Sequence, residues 1–162
     1  MIAELASVIE PIVKTLTVGS DATETFKFFT GQFGTWWPVH DPKYTGKDAE
    51  AVHMETKQGG RIYATLKDGN ERTWGIVQTF EPGQRLSFSW GAPISTDDDK
   101  DGVTEVSVEF ADGKDGTCTV TLTHSGWERL ATEAEEMRND YNEGWDHVLE
   151  ECFLSFTRKD AA

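Results

Sequence analysis

The chain has 162 residues and a formal net charge of −14, and 37% of its residues are hydrophobic and 11% aromatic. A chain of that length and composition buries a real core as one domain, which excludes a disordered protein. The negative charge repels phosphate backbones and anionic lipids, and no basic stripe offsets it, so binding to nucleic acid or a membrane surface is disfavoured.

The N-terminal segment and the cysteines indicate a cytoplasmic protein. The first residues lack a basic region and include Glu4 and Glu10, so they make a poor signal peptide, and no apolar run is long enough to span a bilayer. Cys118 and Cys152 fall at apolar positions of a predicted strand and a predicted helix. We interpret both as small buried hydrophobic residues rather than as a disulfide or a catalytic thiol.

The N-terminal part of the chain predicts a strand and then a short helix. Residues 9–18 alternate between apolar and polar side chains, which predicts a strand, and Ser20 or Asp21 can cap a helix over residues 22–32. Three phenylalanines fall on one side of this helix: Phe26, Phe29 and Phe33. The predicted loop that follows carries Trp36, Trp37 and Pro38.

From residue 51 to residue 124 the sequence changes to short alternating runs divided by turn residues, which is typical of an antiparallel sheet. Six strands are predicted, over residues 51–56, 61–67, 74–80, 85–90, 103–110 and 117–124. In the last three strands one face is apolar and the other is polar. One side of the sheet is therefore expected to meet solvent, and the other needs a cover.

Residues 131–159 supply that cover. Their apolar residues recur at steps of three and four, which predicts a long helix with one apolar stripe, and Thr132 with Glu135 forms a capping box at its start. The predicted fold is therefore α+β, in a single domain over residues 1–162: a curved antiparallel sheet of about seven strands wrapped around a long C-terminal helix, with a short helix after the first strand.

Several motifs carry a family likeness in the right order along the chain. They are Phe28-Phe29, Trp36-Trp37-Pro38, residues 55–61 (ETKQGGR), residues 80–86 (FEPGQRL), residues 116–127 (GTCTVTLTHSGW) and Gly144-Trp145. Together they resemble the Hsp90-ATPase-activator-homologue (AHSA1-like) family of the START/Bet v 1-like (SRPBCC) superfamily. The resemblance implies a helix-grip fold with an internal cavity between the sheet and the long helix. Members bind lipids, sterols, polyketides or other apolar molecules, and some are cyclases or hydrolases.

Two departures from the family pattern bear on function. Lys57 stands where many relatives have arginine, and a lysine lacks the planar fork that binds an anion through two parallel hydrogen bonds. No larger partner-binding module precedes the domain in this sequence, so a co-chaperone role is not the first expectation.

A set of rings is predicted to line the cavity and bind the ligand: Trp36, Trp37, Tyr63, Trp74, Phe88, Trp90, His124, Tyr141 and Trp145. Trp36 and Trp37 are expected at the mouth of the cavity. Large rings with a polar tip suit a flat or apolar ligand, although the same residues can simply fill a core. Gly144, in the middle of the long helix, indicates a close approach of helix and sheet or a bend over a cavity.

His124 is the main candidate for chemistry, because it ends a strand on the apolar face. It can act as a general base or donate a hydrogen bond to a ligand carbonyl, and a satisfied structural histidine is the alternative. His53 and Glu55 share one face of a strand and are interpreted as a polar pair on the solvent side.

No metal site and no cofactor are predicted. One helical face carries Glu143, His147 and Glu151, which we interpret as a solvated row of charges rather than as zinc ligands. The loop with Asp97, Asp99 and Asp101 begins like a calcium loop, but Val108 stands where a bidentate glutamate is required.

The sequence therefore favours a domain that binds an apolar or aromatic small molecule, with neither nucleic acid nor a membrane as partner. The first alternative is an enzyme of the cyclase or hydrolase type that uses the same cavity, with His124 or the tyrosines in its mechanism. The second is a stress-related co-chaperone or protein-interaction module that works through the acidic surface. No catalytic residue is assigned, and the sequence leaves a homodimer open.

Overall fold

The computed structural model describes residues 10–38, 48–90, 104–127 and 134–154, with the backbone alone for residues 134–137. The strands are β1 (Ile12–Val18), β2 (Ala49–Met54), β3 (Arg61–Leu66), β4 (Glu71–Glu81), β5 (Arg85–Trp90), β6 (Thr104–Asp112) and β7 (Cys118–Ser125). The helices are α1 (Ala22–Gly31), α2 (Phe33–Trp36) and α3 (Ala134–Asp146), and α3 continues directly into a π-helical segment (His147–Leu154). The predicted order of strand, short helix, six strands and long helix is confirmed, with α2 as an additional short helix.

The seven strands form one antiparallel sheet in the order β1-β7-β6-β5-β4-β3-β2. Each strand from β2 to β6 pairs with the next one along the chain, and β7 also pairs with β1. Register shifts interrupt the ladders of β2 with β3, β3 with β4 and β4 with β5. Such irregularities bend strands and increase their twist, so they curl the sheet towards the helices.

The alternation of the later strands places one face of the sheet in the core. Buried positions alternate with half-buried ones along the whole of β7, and the same pattern holds for most of β6. The inward side chains of these two strands include Val106, Val108, Phe110, Cys118, Val120, Leu122 and His124. The predicted two-faced sheet is confirmed, and α1, α2 and the C-terminal helix cover its apolar side.

Helix α1 begins where the sequence predicted, with Asp21 rather than Ser20 as its cap. The Asp21 side chain accepts a hydrogen bond from the backbone N–H of Glu24 at 2.8 Å. The N–H of Ala22 donates to Asp112 Oδ1 at 2.8 Å, which ties the start of α1 to the end of β6. The predicted phenylalanine side of this region faces the core, because Phe26, Phe29 and Phe33 are all buried.

The C-terminal helix packs along the sheet and contacts the edge strand β1. Lys14 Nζ lies 2.9 Å from Asp146 Oδ1, and Arg138 Nε donates to the carbonyl oxygen of Glu10 at 2.6 Å. The predicted capping box involves Thr132, which lies outside the described residues. No helix within the described ranges is long and apolar enough to cross a membrane.

The π-helical segment is the main departure from the predicted helix. A π-helix has a wider turn than an α-helix, so its apolar stripe shifts relative to a stripe drawn with a period of 3.6 residues. Val148, Leu149 and Phe153 are buried, whereas Cys152, which the α-helical pattern also placed in the stripe, is half-buried. The interpretation of Cys152 as a buried small hydrophobic residue is therefore met only in part, because its side chain is half-buried.

Helix α2 was not predicted, and it depends on a glycine. Residues 33–36 form this helix instead of the expected loop, and it packs against β2 so closely that a methyl group at Gly34 would collide with the carbonyl oxygen of Val52. We expect Gly34→Ala to lower the free energy of unfolding by about 1–3 kcal/mol, measured by urea denaturation. Gly19→Ala, where an added methyl group meets nothing, is the control and is expected to change it by less than about 0.5 kcal/mol. Equal stability of the two variants would contradict the close approach of α2 to β2.

Candidate ligand-binding site

Eight of the nine residues predicted to line the site meet in one group, which we call the aromatic cluster: Trp36, Trp37, Trp74, Phe88, Trp90, His124, Tyr141 and Trp145. The rings come from α2 and the residue after it, from the sheet strands β4, β5 and β7, and from α3. The cluster therefore lies between the sheet and the long helix. This is where the sequence predicted a ligand site.

Trp90 is the centre of the aromatic cluster. Its ring centroid lies 5.5 Å from those of Trp37 and Phe88, 5.7 Å from that of Trp74 and 6.1 Å from that of Trp145. Most of these pairs are edge-on or tilted, an arrangement that aromatic quadrupoles favour. The tryptophan ring thus joins the sheet, the loop after α2 and the C-terminal helix.

Trp36 and Trp37 do not stand at an opening to solvent, because they are only 3% and 5% exposed. The indole N–H of Trp36 donates to the carbonyl oxygen of Phe29 at 3.1 Å, and its ring lies 5.0 Å from Phe153. Trp37 contacts both layers, since its ring meets Trp74 on the sheet and Trp145 on α3. Their expected position at a mouth was wrong, because folding of residues 33–36 into α2 turns both rings inward.

Tyr63 is the one predicted lining residue that lies elsewhere. Its neighbours in β3, Ile62 and Ala64, are buried, so the alternation of the strand directs Tyr63 to the opposite face of the sheet. There it stacks on His53 at 4.8 Å, and the guanidinium carbon of Arg61 lies 4.1 Å from its ring centroid. Tyr63 therefore belongs to a polar ladder on the outer face, apart from the aromatic cluster.

His53 and Glu55 each have a different partner on that outer face. His53 Nε2 pairs with Thr65 Oγ1 at 2.9 Å, and Glu55 Oε1 accepts a hydrogen bond from the backbone N–H of Arg61 at 2.8 Å. The interpretation of these side chains as cross-strand polar contacts is supported, although His53 and Glu55 do not pair with one another.

His124 is fully buried, and both of its ring nitrogens are engaged. Trp145 Nε1 lies 2.9 Å from His124 Nδ1, and an indole nitrogen can only donate, so Nδ1 accepts and Nε2 carries the proton of the neutral ring. Nε2 lies 2.6 Å from Thr104 Oγ1, whose hydroxyl donates in turn to the carbonyl oxygen of Trp90 at 2.9 Å. Trp145 thus donates to His124, His124 to Thr104 and Thr104 to the Trp90 carbonyl oxygen, so three successive hydrogen bonds connect α3 with β7, β6 and β5.

Burial also fixes the charge of His124. Removal from water disfavours the imidazolium and lowers the pKa of His124 to about 3. At neutral pH the ring is therefore uncharged and its one acceptor nitrogen is occupied by Trp145. This geometry supports the reading of His124 as a satisfied structural residue over that of a general base.

Two residues of this region were missed as site candidates. Trp127 is fully buried, its ring centroid lies 4.3 Å from that of His124 in a tilted arrangement, and its Nε1 donates to the His124 carbonyl oxygen at 2.8 Å. It stands in the motif of residues 116–127, where its size and position directly after the strand signalled a core role. Thr104 is 3% exposed. It lies two residues before Val106 and four before Val108 in β6, so the inward–outward alternation of that strand would have predicted its inward position.

Trp90 and Tyr141 bring two polar groups into the apolar interior. Trp90 Nε1 is buried and makes no hydrogen bond. Burial raises the pKa of Tyr141, and a hydrogen-bonding approach of the Trp90 side chain opposes this to a smaller extent, so the two polar groups are near one another. The geometry of this approach still leaves the indole N–H of Trp90 without a hydrogen bond. Tyr141 is consequently a neutral phenol throughout the physiological pH range.

The remaining candidates for chemistry are weaker. Cys118 is fully buried in β7, and burial raises the pKa of its thiol, so it is protonated at neutral pH and a poor nucleophile. On the C-terminal helix Glu143 and Glu151 are exposed, as expected for a solvated row. Across the described part of the chain, no group of three or more histidine, cysteine or acidic residues is placed to hold a metal ion.

The chain is similar to known proteins both in its family and in its structure. The model of the family described as "Activator of Hsp90 ATPase homolog 1-like protein" matches residues 21–152. No curated protein matches the chain. Among solved structures, the chain is similar to the anthrahydroquino-γ-pyrone synthase Txn09, with 28% identity and a TM-score of 0.55 over 80% of this chain and 85% of that one.

Two further solved structures show the fold. The self-sacrificing resistance protein CalC from Micromonospora echinospora is 23% identical with a TM-score of 0.68, covering 93% of this chain and 96% of that one. Protein MLL2253 from Mesorhizobium loti is 15% identical with a TM-score of 0.62, covering 94% and 98%. Together with the curled seven-stranded sheet and its C-terminal helix, these likenesses confirm the helix-grip α+β fold.

Proposed function

Because the chain belongs to the activator of Hsp90 ATPase homolog 1-like family, we propose that it is a small-molecule-binding domain for a flat, largely apolar aromatic ligand. In this proposal the ligand inserts between the sheet and α3, among the rings of the aromatic cluster. The observation that carries the proposal is the cluster itself, in which rings from both layers of the fold meet around Trp90.

The edge-on and tilted ring pairs of the aromatic cluster can be replaced by similar contacts between these rings and a flat aromatic ligand. Trp37 contacts Trp74 and Trp90 on the sheet side and Trp145 on the helix side, so a flat molecule inserted beside it would exchange one set of ring contacts for another. Sites for small molecules are commonly lined by aromatic side chains with a few polar groups. Trp90 Nε1 and the Tyr141 hydroxyl supply those polar groups here.

The 28% identical relative supports a ligand of fused rings. It is named as an anthrahydroquino-γ-pyrone synthase, and the compound class in that name is flat, aromatic and oxygenated. We therefore take anthraquinone-type compounds as the first probes for this chain.

Titration with 2-aminoanthraquinone, followed by tryptophan fluorescence and by calorimetry, tests the proposal. All six tryptophans are buried in or against the aromatic cluster, so we expect saturable quenching with one molecule bound per chain. Trp74→Leu removes a ring of the cluster and is expected to weaken binding about tenfold, or about 1.4 kcal/mol, since an aromatic pair contributes about 0.5–1.5 kcal/mol beyond its area burial. Tyr63→Leu alters an aromatic residue on the outer face and is expected to bind like the wild type. An absence of quenching, or equal weakening in both variants, would refute the proposed site.

A cyclase-type enzyme is the second candidate, because the 28% identical relative is named as a synthase. Both ring nitrogens of His124 are engaged, so chemistry in this site would rest on the neutral hydroxyl of Tyr141 as a hydrogen-bond donor. One observation distinguishes the binding domain from the cyclase-type enzyme. A binding domain returns the bound compound unchanged after incubation, whereas an enzyme converts it. A co-chaperone role has the family description as its support.

A further inference from the structure

The indole N–H of Trp90 stands apart from those of its neighbours. Trp36, Trp127 and Trp145 each donate from Nε1 to a protein acceptor, at 3.1, 2.8 and 2.9 Å respectively. Trp90 Nε1 is the one buried side-chain nitrogen or oxygen of the described residues that has no hydrogen-bond partner, although the residue is only 1% exposed. Buried donors are almost always paired in native proteins, so an unpaired one calls for an explanation.

The surroundings of Trp90 are mostly aromatic surface and leave this N–H without a well-placed acceptor. Its ring contacts are with Trp37, Trp74, Phe88 and Trp145, which present aromatic surface. The Tyr141 hydroxyl is the one polar group beside this N–H, close enough for the indole to lower the pKa of Tyr141 slightly against the effect of burial. Its placement does not complete a hydrogen bond with Trp90 Nε1. The carbonyl oxygen of Trp90 accepts a hydrogen bond from the Thr104 hydroxyl, which fixes the backbone of the residue.

We infer that Trp90 Nε1 is a ligand-binding donor that recognises an oxygen acceptor, a ring carbonyl or a phenol oxygen, on the flat aromatic ligand. This inference rests on the proposed function and deepens it, because it names the chemical class of the ligand. An indole N–H can donate and cannot accept, so it distinguishes an oxygenated ring system from the corresponding hydrocarbon. Leaving a buried donor unpaired carries a penalty, and for this reason the discrimination is strong in an apolar site.

The same surroundings favour a ligand without charge. The eight residues of the aromatic cluster include no lysine or arginine, and His124 is neutral because burial lowers its pKa. A carboxylate or sulfonate buried here would lack a compensating cation in the cluster, which is costly in a medium of low dielectric. The structure thus assigns the site to neutral oxygenated polycycles, with quinones as the simplest members.

Two probes and two variants test the assignment. The probes are 2-aminoanthraquinone and 2-aminoanthracene, which share a fused three-ring skeleton and an amino group and differ in the two ring carbonyls. Trp90→Phe removes the N–H and keeps an aromatic ring, and Trp74→Phe makes the same chemical change at a neighbouring ring whose centroid lies 5.7 Å away. The measured quantity is the ratio of the Kd for aminoanthracene to the Kd for aminoanthraquinone.

We expect this ratio to fall about tenfold in Trp90→Phe and to stay within about twofold of the wild type in Trp74→Phe. If both probes bind and the ratio is unchanged in Trp90→Phe, the inference is overturned and the proposed function stands. If neither probe binds the wild-type protein, the proposed function and the inference fail together. Thermal melting of each variant shows whether it is folded.

A measurement on the wild-type protein keeps the inference testable if Trp90→Phe does not fold. In a sample labelled with ¹⁵N, the Trp90 indole resonance, assigned by triple-resonance experiments, reports directly on its hydrogen bonding. A new bond to a ligand oxygen is expected to move the indole proton downfield with aminoanthraquinone, and aminoanthracene is expected not to do so. The same shift with both probes, or no shift with either bound probe, would overturn the role of Trp90.

Discussion

Lowering the pH from 7 to 5 is expected to reduce the free energy of unfolding by about 2 kcal/mol through His124 alone. The unfolded chain binds a proton at this residue near pH 6.5, whereas burial lowers the pKa in the folded state to about 3. Between those values the unfolded state holds more protons than the folded state, so acid favours unfolding. The loss begins as the pH falls through about 6.5 and amounts to about 1.4 kcal/mol per pH unit until about pH 3.

His124→Asn isolates this contribution from the titration of the carboxylates. An asparagine at this position keeps a side-chain oxygen that can accept from Trp145 Nε1, and it cannot take up a proton in this pH range. Urea unfolding at pH 7, 6 and 5 should show the wild type as the more stable protein at pH 7. The difference between the two proteins should then shrink by about 2 kcal/mol at pH 5. A constant difference across this range would mean that His124 titrates alike in the folded and unfolded states.

Phe153→Ala is expected to lower the free energy of unfolding by about 3–5 kcal/mol, as is usual for truncation of a buried phenylalanine. The Phe153 side chain is fully buried, and its ring lies 5.3 Å from Phe29 and 5.0 Å from Trp36. It is therefore the side chain through which the π-helical segment packs against α1 and α2. Truncation leaves a cavity between these three helical elements, whose backbones cannot close it without separating from the sheet.

Val13→Ala provides the control, because Val13 lies on the exposed face of β1 and is 59% accessible. We expect it to change the free energy of unfolding by less than about 0.5 kcal/mol in the same urea experiment. Fluorescence of the buried tryptophans follows both transitions. Should Phe153→Ala be as stable as Val13→Ala, the packing of the π-helical segment on α1 and α2 would have to be revised.

The strands were predictable because the pattern that identifies a strand lies within the strand's own few residues. In β5, β6 and β7 the side chains alternate between apolar and polar, and this pattern places Val108 and Leu122 inward without reference to any other part of the chain. Tyr63 shows the limit of choosing residues by type. The neighbouring Ile62 and Ala64 already occupied the inward positions of β3, so alternation would have placed Tyr63 outside, whatever the size of its ring.

The helical parts that were not predicted depend on distant contacts. Helix α2 has four residues, too few for an apolar period, and its inward turn is fixed by the approach of Gly34 to Val52 and by the packing of Trp36 on Phe153. The π-helical segment escapes any pattern drawn with a period of 3.6 residues. In the candidate site, the grouping of the eight rings was predictable from the apolar faces of the strands and helices and from the order of these elements. The hydrogen bonds of His124 were not, because Thr104 and Trp145 reach it from separate elements.

The strand order has a consequence for the way the domain folds. The strands from β2 to β7 can form as successive hairpins between neighbours in sequence, whereas Ile12 of β1 pairs with His124 of β7. Closing a loop of about 100 residues costs chain entropy before any contact offsets it, so non-local pairings of this kind slow folding. The helices α1 and α2 follow β1 directly and bring Phe29 and Trp37 with them. A chain that has formed only the hairpins from β2 to β7 has not yet brought Trp37, or Tyr141 and Trp145 of α3, onto the sheet, so its aromatic cluster is incomplete.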